Sequence, residues 1–130
     1  MRKLLKSEKK LTTNEITKAL NSFINKDIVF TSSKTDFNIT MRGTGEIALY
    51  INDKFHARVP LNPEHETQFA LHTIEENSIF SMDDAEGLVE LDMREAGLES
   101  LVFNSYIPLK KLVIFGNDIK RLDLSKCKEL

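Results

Sequence analysis

Cysteine is almost missing from this chain. Its 130 residues contain one, Cys127, so no disulfide can form within a single copy. Chains without disulfides live on either side of a membrane, so this shortage selects no compartment. Long apolar runs are missing too. No stretch approaches the length of a membrane-spanning helix. The opening MRKLLK is followed by SEKKLTTNE and not by the apolar region of a signal peptide. The default expectation is a cytoplasmic location with no membrane span. A strong charge of one sign is also lacking. The chain has 18 basic residues against 20 acidic ones and a net charge of −2. A nucleic-acid backbone as main partner would need a basic field, so that class is set aside. The one basic cluster, Arg2, Lys3, Lys6, Lys9 and Lys10, reads as a solvated, mobile N-terminus over residues 1–11.

Motifs that carry chemistry are scarce as well. GTGEIA (43–48) satisfies a dinucleotide fingerprint in letters. That fingerprint needs a helix opening at the second glycine, and here an alternating strand pattern follows. His56, His65 and His72 are spaced nine and seven apart, so no two share a helix turn as a zinc pair would. Asp83, Asp84 and Glu86 lack the spacing of a calcium loop. No nucleophile elbow, paired-carboxylate motif or phosphate loop is present, and Cys127 has no histidine near it in sequence. The expectation is a non-catalytic protein with no cofactor and no metal.

What is present begins with a sizeable core: 41% of the residues are apolar, too many for a disordered chain. Thr12 and Glu15 fit a capping box. Ile16, Ala19, Leu20, Phe23 and Ile24 follow at helical spacing, which predicts a helix over 13–25. After Lys26 the pattern turns to β. Ile28–Phe30 is a short apolar run. Phe37, Ile39 and Met41 alternate with polar residues, as do Ile47, Leu49 and Ile51, and RGTGE (42–46) between them reads as a hairpin loop. Asn52-Asp53 marks a second turn, followed by Phe55, Ala57 and Val59. Further β segments are expected at 68–73 and 79–82, joined through EEN (75–77). Residues 12–87 thus form one part, a helix packed on an antiparallel β meander.

From Leu88 the period changes. Four units begin with an L-x-x-L-x-apolar pattern, with isoleucine in place of the first leucine in the last: LVELDMREAG, LESLVFNSYIP, LKKLVIFGND and IKRLDLSKCKEL. Their starts are 10, 11 and 10 residues apart, and the better match is at 21, Leu88 with Leu109 and Leu91 with Leu112. An extended residue spans about 3.3 Å, so ten residues are too few for two walls and two corners, whereas 21 suffice. LKKLVIFGNDI matches the leucine-rich repeat core with Asn117 in the asparagine slot, and IKRLDLSKC matches it with Cys127 there. Residues 88–130 therefore resemble the short, irregular leucine-rich repeats of bacterial proteins, often surface or secreted ones. The resemblance implies about two 21-residue coils with no C-terminal cap. The fold class expected for the whole chain is mainly β (α+β): the helix and meander, followed by a short solenoid.

Such coils act through their surface. The outward positions flanking the leucines are Glu90, Asp92 and Arg94, one coil below Lys111, Val113 and Phe115, with Arg121 and Asp123 on the other wall. Glu90 beside Lys111 is a favourable pair, and Arg94 over Phe115 a cation–π contact. Val113 and Phe115 are either a recognition patch or ground covered by the chain's own N-terminal part. The expected function is recognition of a protein partner. The alternative is a structural protein, or a piece of a longer repeat array, whose open last coil joins a second copy into a homo-oligomer.

Overall fold

Alternation between buried and exposed residues sets the local structure. The structure, a computed structural model, describes residues 25–74 and 78–130. In β1 (Ile28–Ser32) the residues Ile28, Phe30 and Ser32 are buried and their neighbours half-buried. In β2 (Asp36–Gly43) Phe37, Ile39 and Met41 turn inward while Asp36 and Asn38 stay exposed. This two-residue period is what a sheet with one wet face requires. The strands that follow are β3 (Glu46–Ile51), β4 (Lys54–Pro60), β5 (Thr67–His72), β6 (Ile79–Asp83), β7 (Leu88–Asp92), β8 (Leu98–Phe103) and β9 (Lys111–Val113).

These strands form two sheets. One has the order β4-β3-β6-β1-β8 and the other β9-β7-β2-β5. Neighbours are antiparallel except β7 and β9. The inner faces meet in one core. Phe30 stacks on Phe80 with centroids 5.1 Å apart, and both meet Phe37 of the opposite sheet edge-on, at 6.3 and 5.3 Å. Leu88, Leu91, Leu98, Leu101 and Leu109 join this core fully buried.

Several expectations are corrected by this arrangement. Among the described residues the protein is all-β, not α+β. The mobile N-terminus (1–11) and the helix over 13–25 lie outside the described residues except for Asn25, which stands in a turn; the EEN segment lies outside them too. The meander is replaced by a chain that crosses from sheet to sheet. Only β3 and β4 are consecutive partners, joined by a two-residue turn in which Asn52 and Asp53 both have positive φ, 50° and 66°, as a hairpin of this length favours. RGTGE is no hairpin loop: it leaves β2 in one sheet and enters β3 in the other.

The leucine-rich-repeat solenoid is overturned as well. β7 lies antiparallel to β2, and β8 lies antiparallel to β1 in the other sheet. The ten-residue spacing is the distance from one sheet to the other, and the leucines fill a sandwich core. The offset of 21 does exist at one place: Leu112 pairs with Leu91, parallel and in register. It is not propagated, since no strand forms over 119–130. Periodicity in sequence records how often a chain returns to a core. It does not record whether that core belongs to a stack of coils or to two facing sheets.

Two crossings between sheets touch backbone to backbone. The Thr44 amide donates to Gly87 O at 2.9 Å. A Cβ at Gly43 would stand 2.1 Å from Gly87 O, and one at Gly87 would stand 2.3 Å from Thr44 O. The obstacle is a carbonyl in each case, which cannot swing aside as a side chain would. Gly87→Ala and Gly43→Ala are each expected to lower stability by about 1–3 kcal/mol through overpacking. The double variant should lose less than the sum, because both methyls disturb one contact. Urea unfolding of the three variants measures both effects.

A charged face on the four-stranded sheet as candidate functional site

The outer face of the four-stranded sheet is built in cross-strand rows. The register sets Lys111, Glu90 and Arg42 side by side, then Val113, Asp92, Thr40 and Gln68, then Asn38 beside Ala70 and Asp36 beside His72. Each is the outward member of an alternating pair whose partner faces the core, so the pattern that buries Ile39, Met41 and Leu91 also presents these mostly polar rows. A shallow depression opens on the face, bordered by Asn38, Thr40, Gln68, Asp92 and Arg94.

Two arginines organise the charge. The Arg42 guanidinium forms an ion pair with Glu90 and donates to the Pro63 carbonyl. Arg94 forks onto Asp92, with Nε donating to Oδ1 at 2.9 Å and Nη2 donating to Oδ2 at 2.6 Å. The Arg94 amide donates to the same carboxylate at 3.1 Å. The far side of this guanidinium lies over the Phe115 ring, 4.9 Å from its centroid. At a surface position such a contact is worth roughly 0.5–1 kcal/mol. Phe115 remains 56% exposed.

A corner of the chain holds Arg94 where it is. Asn117 donates through Nδ2 to Met93 O at 2.9 Å and to Ile114 O at 2.8 Å. Its Oδ1 accepts from the amides of Ala96 at 3.1 Å and Leu98 at 2.9 Å. One side chain thereby closes the 93–98 corner and ties it to the strand beside it. Ser32 braces the same corner by donating to Ala96 O at 2.6 Å, and Lys34 Nζ donates to Glu95 O at 2.8 Å. Removing the amide leaves two N–H donors and two carbonyls without this partner in a half-buried place. Asn117→Ala should therefore cost about 2–4 kcal/mol, and the loss should reach Arg94 as a less ordered guanidinium. Denaturation and the NMR signal of Arg94 Nε–H check the two parts.

The candidate residues divide into two groups. Glu90, Asp92, Arg94, Lys111, Val113 and Phe115 share this face. Arg121 and Asp123 do not: they follow Asp118, whose amide donates to Leu98 O of the five-stranded sheet at 3.0 Å, and both are exposed. Glu90 and Lys111 are register partners as expected, yet the ion pair of Glu90 goes to Arg42. Sequence reasoning missed Arg42, Asn38, Thr40 and Gln68. Their alternation with Phe37, Ile39 and Met41 marked all but Arg42 and Gln68 as outward. Nothing in sequence placed β2 beside β7.

Other candidates are accounted for locally. His72 pairs with Asp36, and His56 meets Phe69 edge-on at 6.3 Å. Asp84 lies 3.5 Å from Arg58. Among the described residues no group of three or more His, Cys, Asp or Glu is arranged to hold a metal ion. Cys127 is buried, and burial pushes its thiol up from the usual range.

The arginines hold both carboxylates of the face low. The hydrogen bond from Arg42 lowers Glu90, and that from Arg94 lowers Asp92, with Lys111 adding a smaller electrostatic pull on each. A carboxyl lowered in the folded state contributes stability above its unfolded pKa and loses it as pH falls through the folded value. Glu90→Gln should thus reduce the urea midpoint at pH 7. The difference from the parent chain should shrink as pH falls through and below the ordinary glutamate range, where Glu90 becomes protonated. Urea titrations across that range give the sign directly.

Comparison with protein-family models, with curated proteins and with solved structures yields no match for this chain.

Proposed function

We propose that the protein is a non-catalytic recognition module that binds a protein partner through the outer face of its four-stranded sheet. The observation that carries this reading is the Arg94–Phe115 stack, locked by Asp92 and exposed beside a polar depression. Arginine and aromatic side chains are the types that anchor protein interfaces, and they do so best when held in one conformation before binding. Charges of both signs alternate around the stack: Glu90 and Asp92 against Arg42, Arg94 and Lys111. Such a mosaic suits the mixed surface of another protein better than a uniformly charged polymer. The carboxylates are held ionised by arginines, which fits them for fixing side chains and not for donating protons.

A second reading is self-association through the C-terminal end. It is favoured by Leu124 and Leu130, exposed at 38% and 49%, in the strandless segment that follows β9 in the chain.

Affinity capture from the native host, with the wild-type chain and with Arg94→Ala and Phe115→Ala, tests the first reading. Each variant is expected to weaken the captured partner's affinity by ten-fold or more. A partner bound equally by all three chains sinks it. If instead the wild-type chain alone changes mass with concentration in sedimentation, and Leu124→Glu abolishes the change, the second reading holds.

A further inference from the structure

The two sheets end in four edge strands, and three of these carry something that discourages further pairing. β9 has three residues and begins with Lys111. β4 carries Lys54, Arg58 and Pro60, and its register shifts opposite Leu49 and Tyr50. On β8 the Leu98 carbonyl already accepts from the Asp118 amide. Short length, positive charge, proline, bulges and covering loops are the devices by which an edge refuses another strand.

β5 has none of them. Thr67–His72 reads TQFALH, with no lysine, arginine, proline or glycine. It pairs with β2 from end to end without a shift in register. Just past it the Thr73 amide donates to Thr35 O at 2.8 Å, and an antiparallel ladder alternates from such a pair. The backbone groups of Leu71, Phe69 and Thr67 therefore turn toward β2. Those of Gln68, Ala70 and His72 turn toward the open edge, where no strand pairs with them among the described residues.

These three residues are arranged symmetrically about Ala70. An antiparallel copy of β5 laid alongside sets Ala70 against Ala70, and Gln68 against His72 in both directions. Each such pair exchanges two backbone hydrogen bonds, so this register uses every open group. A shift by two residues leaves Gln68 or His72 without a partner. No like charges meet: two methyl groups face each other at the centre, and an amide faces an imidazole on either side. On the inner side Phe69, half-buried at the rim of the core, falls opposite Leu71 of the second copy, and Thr67 falls opposite Thr73. Aromatic–aliphatic and threonine pairs of this kind stabilise neighbouring strands.

We propose that β5 is the interface of a homodimer, in which two copies join edge to edge across a two-fold axis through the Ala70 pair. The four-stranded sheets become one sheet of eight strands. An axis perpendicular to the sheet keeps both charged faces on the same side, so the dimer presents that face twice. The join uses the edge and not the face, and it does not rest on the recognition reading.

Sedimentation of the full chain across a range of concentrations tests the proposal, with disulfide trapping as a second measurement. The wild-type chain is expected to reach the mass of a dimer. Ala70→Pro removes the central outward N–H, which β2 does not use, and Ala70→Lys sets two ammonium groups against each other. Each should weaken the dimer by about ten-fold or more while the β circular dichroism is retained. If Ala70→Pro disturbs the strand, Ala70→Lys, which keeps the backbone N–H, decides. Leu124→Glu should leave the dimer intact. Ala70→Cys should cross-link two copies on mild oxidation, since paired Cα atoms lie about 5.5 Å apart. Asn38→Cys, on the same face one strand in, should not, because three strand spacings put it about 14 Å from its counterpart. A wild-type chain that stays monomeric at every concentration overturns the proposal. So does a dimer that tolerates Ala70→Lys, one abolished by Leu124→Glu, or cross-linking of Asn38→Cys as fast as that of Ala70→Cys.

Discussion

The packing of Phe37 against the stacked pair Phe30 and Phe80 is the contact on which the rest of this structure depends. Phe37 belongs to one sheet and the other two to its partner, so the cluster joins the sheets at their middle strands. Because the chain changes sheet at nearly every turn, no sheet can form before its partner strands arrive from elsewhere in the sequence. Long-range pairing of this kind costs loop entropy before contacts return it. Burying three aromatic rings together with the surrounding aliphatic core supplies the offset. The two outer faces follow from this, since each strand that sends one residue into the cluster must send its neighbour outward.

Those outer faces were legible to different degrees. Alternation at 37–41 and 47–51 named those strands and their inward residues, because a period of two is a local property. Sheet membership was not legible, because it depends on which distant strand becomes the neighbour. RGTGE shows the difference. Its glycines looked like those of a hairpin, yet Gly43 is there because the backbone of Gly87 passes against it. That constraint comes from 44 positions away and leaves no mark in the adjacent letters. The same limit governs the leucines from 88 onward, whose spacing fitted a coil and a sandwich crossing equally.

The candidate site was legible where it rested on the offset of 21. Leu91 beside Leu112 brings Glu90 to Lys111 and Asp92 to Val113, and Arg94 then meets Phe115. It failed where it required that offset to repeat. Arg121 and Asp123 would have needed 119–124 to pair along β8 as β9 pairs along β7, and no strand forms there. It was incomplete on the other side, where β2 contributes Arg42, Thr40 and Asn38. The ion pair of Glu90 illustrates the cost of that gap. A guanidinium with two acceptors, Glu90 and the Pro63 carbonyl, holds the carboxylate more firmly than a flexible lysine ammonium would.

β9 shows how a parallel pair survives on a sheet that is otherwise antiparallel. Parallel partners need a crossover connection, and here residues 93–110 provide it by running through β8 in the opposite sheet. The crossover is short, so its corner must turn sharply, and Gly97 at φ 69° does so. Asn117 then binds both ends of the turn, its Nδ2 donating to carbonyls and its Oδ1 accepting from backbone amides. Without that side chain the corner would present two N–H groups and two carbonyls to a half-buried space. The strand it secures is only three residues long and begins with Lys111, a length and a charge that discourage another strand from adding to the edge. The charged face therefore ends at a guarded border, and its most exposed ring, Phe115, lies just past that border under Arg94. Electrostatic order in the face and closure of the corner are thus one problem, solved by the same few residues between Asp92 and Asn117.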